Sequence, residues 1–516
     1  MISLKRFYDN ASNAAVNICL FLMLCIYPLY MKTGYVGLSD AKYSFFVITG
    51  ICTLVIMACT GFSKLFSPDG KRNANRIFAC LCFFVVSVII SFSLTEYKNT
   101  ALTGAKEWNM GLVTILILSA ELYFTAMLWN PNVFIIYAAI FVSALTYVIA
   151  IFDRFSLYII PLTVRNNSFI STLGNINWFM GYYCLMTGLG VCFFLLSDRE
   201  KKKNRYLLFA YSVISFICGF LQGSESVFLF FAAMFLILLF MAGRGALSLK
   251  DYLILGINWC LCAQAVRILR MLFPDKYNYE TTGLCAFITS NPITAVMAAA
   301  LGIMLYFAAT DGEEQKRSKT VIKLLWLCVA LGAVSYVVIS IIKTYTQLLP
   351  GITNSVFYWD SRFGSGRGGA IEAALLSVRH MNFRQLLFGA GPDCFEDFVY
   401  SIGPVREKLV EYWPGDRLVN SHCAMLTLFI NGGISGVASY ALLLWAFLKY
   451  CFYDALRGHL SGRQTSRAAV SMGFAVFCLF IHDWISFAHL LNMPFAALFA
   501  GMALSIAGKD EDVQNL

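Results

Sequence analysis

Apolar stretches of about 17 to 25 residues, the length that crosses a hydrocarbon layer as a helix, recur about fourteen times along this chain. In lipid every backbone N–H and C=O must be satisfied within the protein, so such a sequence is committed to a helical bundle. The spans are expected near 14–31, 42–62, 77–94, 110–129, 133–152, 178–197, 206–222, 226–242, 252–272, 285–309, 321–342, 423–448, 468–487 and 490–507. Composition agrees: 59% of the 516 residues are hydrophobic and 13% charged, more apolar than a soluble core requires. The expected fold is an all-α integral membrane protein, a polytopic bundle of about 12–14 transmembrane helices with one large, partly helical outer loop. Residues 1–342 hold the first eleven spans, 343–422 the loop, and 423–516 the last three spans and a short cytoplasmic tail.

Lys and Arg in short loops accumulate on the cytoplasmic side of a membrane. With both termini inside, 22 of the 39 Lys and Arg residues fall on the cytoplasmic side and 7 in short outer loops. Loop 343–422 is then extracytoplasmic, and the net charge of +10 mainly records topology. The basic residues are scattered over span ends and form no stripe, so no nucleic-acid partner is expected. The first span follows Lys5 and Arg6 without a small-residue cleavage site and reads as a retained signal-anchor. Most of the 17 cysteines lie inside apolar spans, where a thiol acts as a small hydrophobe. Cys394 and Cys423, the only pair near the outer loop, are too little to predict a disulfide. No spacing of ligand residues suggests a metal site, and no repeat of fixed period or paired broken helix suggests inverted transporter halves.

An 80-residue connection without structure would be unusual, so the loop should fold or function. GGAIEAALLSVRH, 368–380, reads as a helix with Ile371, Leu375, Leu376 and Val378 on its apolar face. The densest polar set is YWDSRFGSGRGGAIE, with Asp360, Arg362, Arg367 and Glu372 among glycines. A helix beginning just after Arg367 would set free N–H groups beside a guanidinium, a combination that suits phosphate oxygens. The plain alternative is a solvated loop in which Arg362 and Arg367 pair with Asp360 or Glu372. His422 stands where the polar loop gives way to an apolar run, either as a base or as an interface residue. The adjacent His482 and Asp483 form an ionisable pair near a span end, either orienting a site or capping a helix. Arg267 and Arg270 share a helix face, placed to snorkel toward lipid phosphates or to line the path of a diphosphate.

Taken in order, these segments resemble the bacterial O-antigen ligase and polysaccharide polymerase family of membrane glycosyltransferases. TLGNINWFMGYYCLM resembles its Gly-Asn-x-Asn-aromatic helix start, which places Asn175 and Asn177 as supporting residues. SGRGGAIEAALL resembles its Arg-bearing loop segment, LLFGAGPDCF its Gly-x-Gly-Pro turn, and NSHCAMLTLFINGGISGVASY its His-containing helix start. The matched region runs from about 172 to 450. One position departs: QGSESVF has Glu225 where the family commonly has an arginine, a phosphate contact that Arg267 or Arg270 would have to replace.

The resemblance implies a polyprenyl-diphosphate-linked glycan as donor at the outer leaflet and a glycan or lipid-sugar hydroxyl as acceptor. Configuration inverts, and neither a metal nor another cofactor is called for. His422 would take the acceptor proton, and Arg367, with Arg362 as second choice, would hold the diphosphate. Glu372, Asp483 and His482 would support them. A polymerase is favoured, with a ligase or a protein O-oligosaccharyltransferase as alternatives that differ only in acceptor. A polysaccharide transporter or lipid flippase is the rival from another class.

Overall fold

Each apolar segment closes its backbone hydrogen bonds within a helix, as a chain in hydrocarbon must. The computed structural model describes residues 2–65, 72–162, 164–279, 283–310, 314–346, 348–352, 354–364, 366–415, 417–460 and 466–507. The acidic segment 509–516 and parts of three basic loops, at 66–71, 311–313 and 461–465, lie outside the described residues.

In chain order, α1 (Ile2–Phe21) runs on through a π turn and a 3-10 turn to Leu29, followed by α2 (Leu38–Leu65) and α3 (Arg72–Leu94). A short α4 (Lys98–Thr103) precedes α5 (Leu112–Leu128) and α6 (Val133–Arg154). The next connection holds a two-residue antiparallel pair, β1 (Phe169–Ile170) and β2 (Gly174–Asn175), in which Phe169 faces Asn175. Then come α7 (Ile176–Leu196), α8 (Lys202–Leu221), α9 (Val227–Gly243), α10 (Leu249–Leu272), α11 (Gly283–Ser290), α12 (Ile293–Ala309) and α13 (Glu314–Tyr345). Four helices fold the long loop: α14 (Arg367–Val378), α15 (Phe383–Phe388), α16 (Phe395–Ser401) and α17 (Gly403–Tyr412). The chain closes with α18 (Ala424–Phe447), α19 (Ala455–Leu460), α20 (Ser466–His482) and α21 (Met493–Ala507).

Among the described residues ten helices are long and apolar enough to cross a membrane. The pair α11–α12, bent by 66° at Asn291-Pro292, makes one further span. The shorter apolar helices α5, α9 and α21 fill the remaining places, so each expected span falls on a helical segment. The molecule is an all-α, multi-pass membrane protein.

The spans differ in what covers them. In α7 the most apolar stretch is 94% buried and in α13 only 6%, so α7 is a central post and α13 faces lipid. The loop has a core of its own, with Ala373 and Ala374 of α14, Phe395 and Val399 of α16, and Val405 and Leu409 of α17 packed together. The face expected for α14 packs only in part: Leu376 and Val378 lie against the loop core and Leu375 is exposed, while Ala370, Ala373, Ala374 and Ser377 are the buried residues. Small side chains win because the neighbour comes close, with the Tyr412 ring lying against Gly369.

The double glycine of α18 joins loop to bundle. Gly433 adopts φ 62° and ψ −162° and breaks the helix, a conformation open to a residue without Cβ. The carbonyls nearby then take other partners: Ile430 O accepts from Ala390 N at 2.8 Å, and Asn431 O from Gly391 N at 3.0 Å and from Ser91 Oγ at 2.9 Å. A side chain at Gly433 would strike the backbone of Leu387 and Phe388, and one at Gly389 the backbone of Asn431. The Gly-x-Gly-Pro turn and the Gly-rich stretch of α18 thus form one joint, which presses the loop onto the helix ends.

Candidate functional site

Arg367 opens α14 after Gly366, whose φ of 100° turns the chain. A Cβ on the following Gly368 would strike the Asp360 carbonyl, so the glycines let the turn fold back on itself. The turn sends the guanidinium inward: Nη1 donates to Gly364 O at 2.9 Å and Nε to Ile485 O at 3.1 Å. Nη2 has no hydrogen-bond partner among the described residues. Burial works against the Arg367 charge, and the Glu225 carboxylate nearby supports it.

His422 sits in the turn leading into α18 with a positive φ of 52°, unusual for a residue with a side chain. Asn420 holds it there, its Oδ1 accepting from the His422 backbone N–H at 2.9 Å. The ring lies 5.8 Å from that of Phe487, and its Nδ1 is buried without a hydrogen-bond partner. Burial, and then the charge of Arg367, lower the imidazole pKa to about 3. The ring is therefore neutral at physiological pH, with a buried nitrogen left over.

A chain of buried polar groups braces this pair. His482 Nδ1 lies 3.3 Å from Asp483 Oδ1, and its Nε2 lies 3.1 Å from Ser226 Oγ. Ser226 Oγ meets Ser224 Oγ at 2.8 Å, and Ser224 Oγ donates to Asn177 Oδ1 at 2.9 Å. Asn175 caps α7 by accepting from Asn177 N at 2.9 Å. The chain fixes two segments against Arg367: the 483–485 turn that supplies the Ile485 carbonyl, and the 222–226 turn that carries Glu225. Glu225 Oε1 accepts from Leu284 N at 2.9 Å, and burial raises the carboxyl pKa against that bond and Arg367.

The other expected residues stand apart. Arg362 is exposed, forked onto Asp360 and laid over the Tyr358 ring at 4.1 Å, as in the solvated-loop alternative. Glu372 pairs with Lys408 and accepts from Tyr412 Oη at 3.0 Å, and these bonds hold its pKa below the usual range. Arg267 donates to Gln264 Oε1 at 3.3 Å, and Arg270 to Thr289 Oγ1 at 2.8 Å while stacking on Tyr277 at 5.0 Å. Arg270 thus faces α11 while Arg267 pairs along α10 itself, and among the described residues no hydrogen bond joins either to Arg367 or His422. Cys394 and Cys423 are free thiols. No cluster of three or more His, Cys, Asp and Glu suited to a metal occurs among the described residues.

Beside the site runs a cavity of about 230 Å³ walled by α3, α5, α18, α20 and α21. It extends from Ile77 to Ser91 along α3, roughly 21 Å at helical rise, and is almost wholly apolar. Its loop end is polar and includes Asp393, Asn420 and Asp483. Asp393 Oδ2 accepts from Ala105 N at 2.8 Å and Met110 N at 2.9 Å, and burial raises the carboxyl pKa to about 7. Sequence reasoning missed Asp393 and Asn420. The signals were there, an acid directly after Gly-x-Gly-Pro and an amide two residues before the histidine. No protein-family model matches this chain, and no curated protein is significantly similar to it.

Proposed function

We propose that the protein is a membrane glycosyltransferase that moves a glycan from a polyprenyl diphosphate to an acceptor hydroxyl. The observation that supports this most is the meeting of a half-buried arginine that has a spare nitrogen with a half-buried neutral histidine whose Nδ1 is buried, next to an apolar cavity long enough for a lipid chain. The Lys and Arg distribution puts the loop outside the cell membrane and both termini in the cytoplasm. Donor and acceptor then meet at the outer leaflet.

In the reaction the acceptor oxygen bonds to the anomeric carbon as the bond from that carbon to the diphosphate breaks, and the configuration inverts. The diphosphate leaves with the electron pair, and Arg367 Nη2 stabilises the charge it gains. His422 takes the hydroxyl proton on a ring nitrogen. Alone, the buried ring is a weak base. A diphosphate beside Arg367 offsets the positive field that depresses it, so donor binding strengthens the base. Among the described residues Nη2 has no partner and Nη1 keeps a second N–H, so the diphosphate contact runs through the outer edge of the guanidinium, led by Nη2.

The test is an assay of purified protein in lipid nanodiscs with a polyprenyl-diphosphate oligosaccharide, offering lipid-linked repeat, glycolipid or peptide acceptors. Wild type should form a product with one class, and His422→Ala should not. Absence of bond formation with every acceptor, together with movement of the lipid-linked glycan across the bilayer, would replace this reading with a flippase.

A further inference from the structure

The cavity beside the site has a feature that a diphosphate pocket would not have. Among the described residues no Lys, Arg or His lines it, and its loop end carries two acidic side chains, Asp393 and Asp483. A phosphorylated head placed there would be desolvated without a counter-charge.

What lines that end is unpaired hydrogen-bonding capacity. Asn420 is 3% exposed, and with Oδ1 committed to His422 N–H its Nδ2 has no partner among the described residues. Asp393 is 7% exposed, and with both N–H bonds on Oδ2 its Oδ1 has none either. Asn431 Oδ1, on the same wall, is buried without a partner. The Trp108 Nε1–H, also in the lining, is buried without a partner as well. Buried polar atoms are normally paired, so two donors and two acceptors left open around the cavity indicate a ligand that supplies both functions. A hydroxyl donates and accepts at once, whereas a phosphate at neutral pH mainly accepts.

We propose that this cavity binds the acceptor: a glycolipid whose tail lies between α3, α5, α18 and α21, and whose uncharged hydroxylated head is read by Asn420, Asp393 and Asn431. The name acceptor rests on the glycosyl-transfer reading; the hydroxyl site does not. Asn420 is the pivot, since one amide fixes the His422 backbone with its oxygen and meets the acceptor with its nitrogen. The diphosphate belongs at Arg367. The 483–487 segment lies between the two, with Asp483 and Phe487 lining the cavity and the Ile485 carbonyl bound to Arg367. This shifts the favoured acceptor from a second diphosphate-linked repeat, as in a polymerase, to a glycolipid, as in a ligase.

The experiment uses the full-length protein in nanodiscs and two photoreactive lipids with the same diazirine tail, one with a glucosyl head and one with a phosphate head. Label is located by peptide mass spectrometry. Wild type should incorporate the glucosyl lipid on α3, α5, α18 and α21 at least tenfold more than the phosphate lipid. Asp393→Asn keeps an oxygen for the Ala105 and Met110 N–H groups, and Asn420→Asp keeps one for the His422 N–H. Each should lose about tenfold in labelling. The double variant exchanges donor and acceptor and should return to within about threefold of wild type, which a purely structural role would not produce. Equal labelling by the phosphate lipid in wild type, or a double variant no better than the single ones, overturns the proposal. Labelling needs no turnover, so the two readings fail separately. Glucosyl capture without glycosyl transfer to any acceptor overturns the function and leaves the hydroxyl site. Transfer with an unlabelled cavity overturns the site alone.

Discussion

Arg362 and Arg367 leave the same glycine-rich turn five residues apart and end in opposite surroundings. Arg362 is exposed, forked onto Asp360, laid over Tyr358 and donating to the Thr344 carbonyl at 3.3 Å. Arg367 lies on the inner face, held by two backbone carbonyls, with Glu225 and His422 nearby and one nitrogen free. Outside, charges are consumed by neighbours and screened by water. Inside, they are held by the backbone and keep capacity for a ligand. Position relative to the bundle, not the density of charge in sequence, separates site from surface.

The sharpest way to break that contrast is to remove the inner groups. Arg367→Ala and His422→Ala should each lower kcat by about two to three orders of magnitude in the transfer assay, with monodisperse protein retained. A loss below tenfold in both would leave the inner face with no chemical role. Arg367→Lys keeps a charge but not the hold of both carbonyls, and should fall between alanine and wild type.

The inner face also predicts how stability responds to acid. His422, half-buried, and His489, buried, have folded pKa values of about 3 against an unfolded value of about 6.5. Between these values the unfolded chain binds more protons, so each histidine lowers stability by up to about 1.4 kcal/mol per unit as pH falls from 6.5 toward 3. Asp393 has the opposite sign: its folded pKa of about 7 exceeds an unfolded value of about 3.9, so the folded chain gains a proton as pH falls through that window. Thermal midpoints in detergent should drop on acidification below pH 6.5, less in His422→Asn than in wild type and more in Asp393→Asn. Superimposable profiles for all three would contradict the burial assigned to these groups.

Gly433→Ala attacks the joint that seats the inner face. A methyl at positive φ, against the Leu387 and Phe388 backbone, should cost about 1–3 kcal/mol, read as a lower thermal midpoint. Glu225→Gln retains an acceptor for Leu284 N–H and removes the charge near Arg367. It should tighten diphosphate-lipid binding severalfold, and weaker binding would show that Glu225 mainly positions the guanidinium. Outer-face changes should matter least, with Arg362→Ala and Glu372→Ala keeping activity within about twofold of wild type, as for exposed pairs.

Much of this layout could be read along the chain. The fourteen segments, the late folded loop and the helix beginning at Arg367 follow from local rules: apolar length, glycine freedom and the need to pair every backbone group. His422 and Arg367 also stood out, through motif order. The polar chain from Asp483 through His482, Ser226 and Ser224 to Asn177 did not, because it joins residues about 300 positions apart. The buried face of α14 was legible only in part: Leu376 and Val378 pack as hydrophobicity suggests, but the closeness of α17 buries the alanines and leaves Leu375 outside.

By itself, then, the sequence determined the number of spans, since each helix satisfies its own backbone and needs no partner to exist in lipid. It also determined where the loop is inserted and, to within a residue, where the first of its helices begins. Tertiary structure alone decided which arginine turns inward, which carboxylate lines the cavity and which nitrogen of His422 is left unpaired. Those outcomes depend on burial and on hydrogen-bond partners, and both are supplied by parts of the chain remote in sequence.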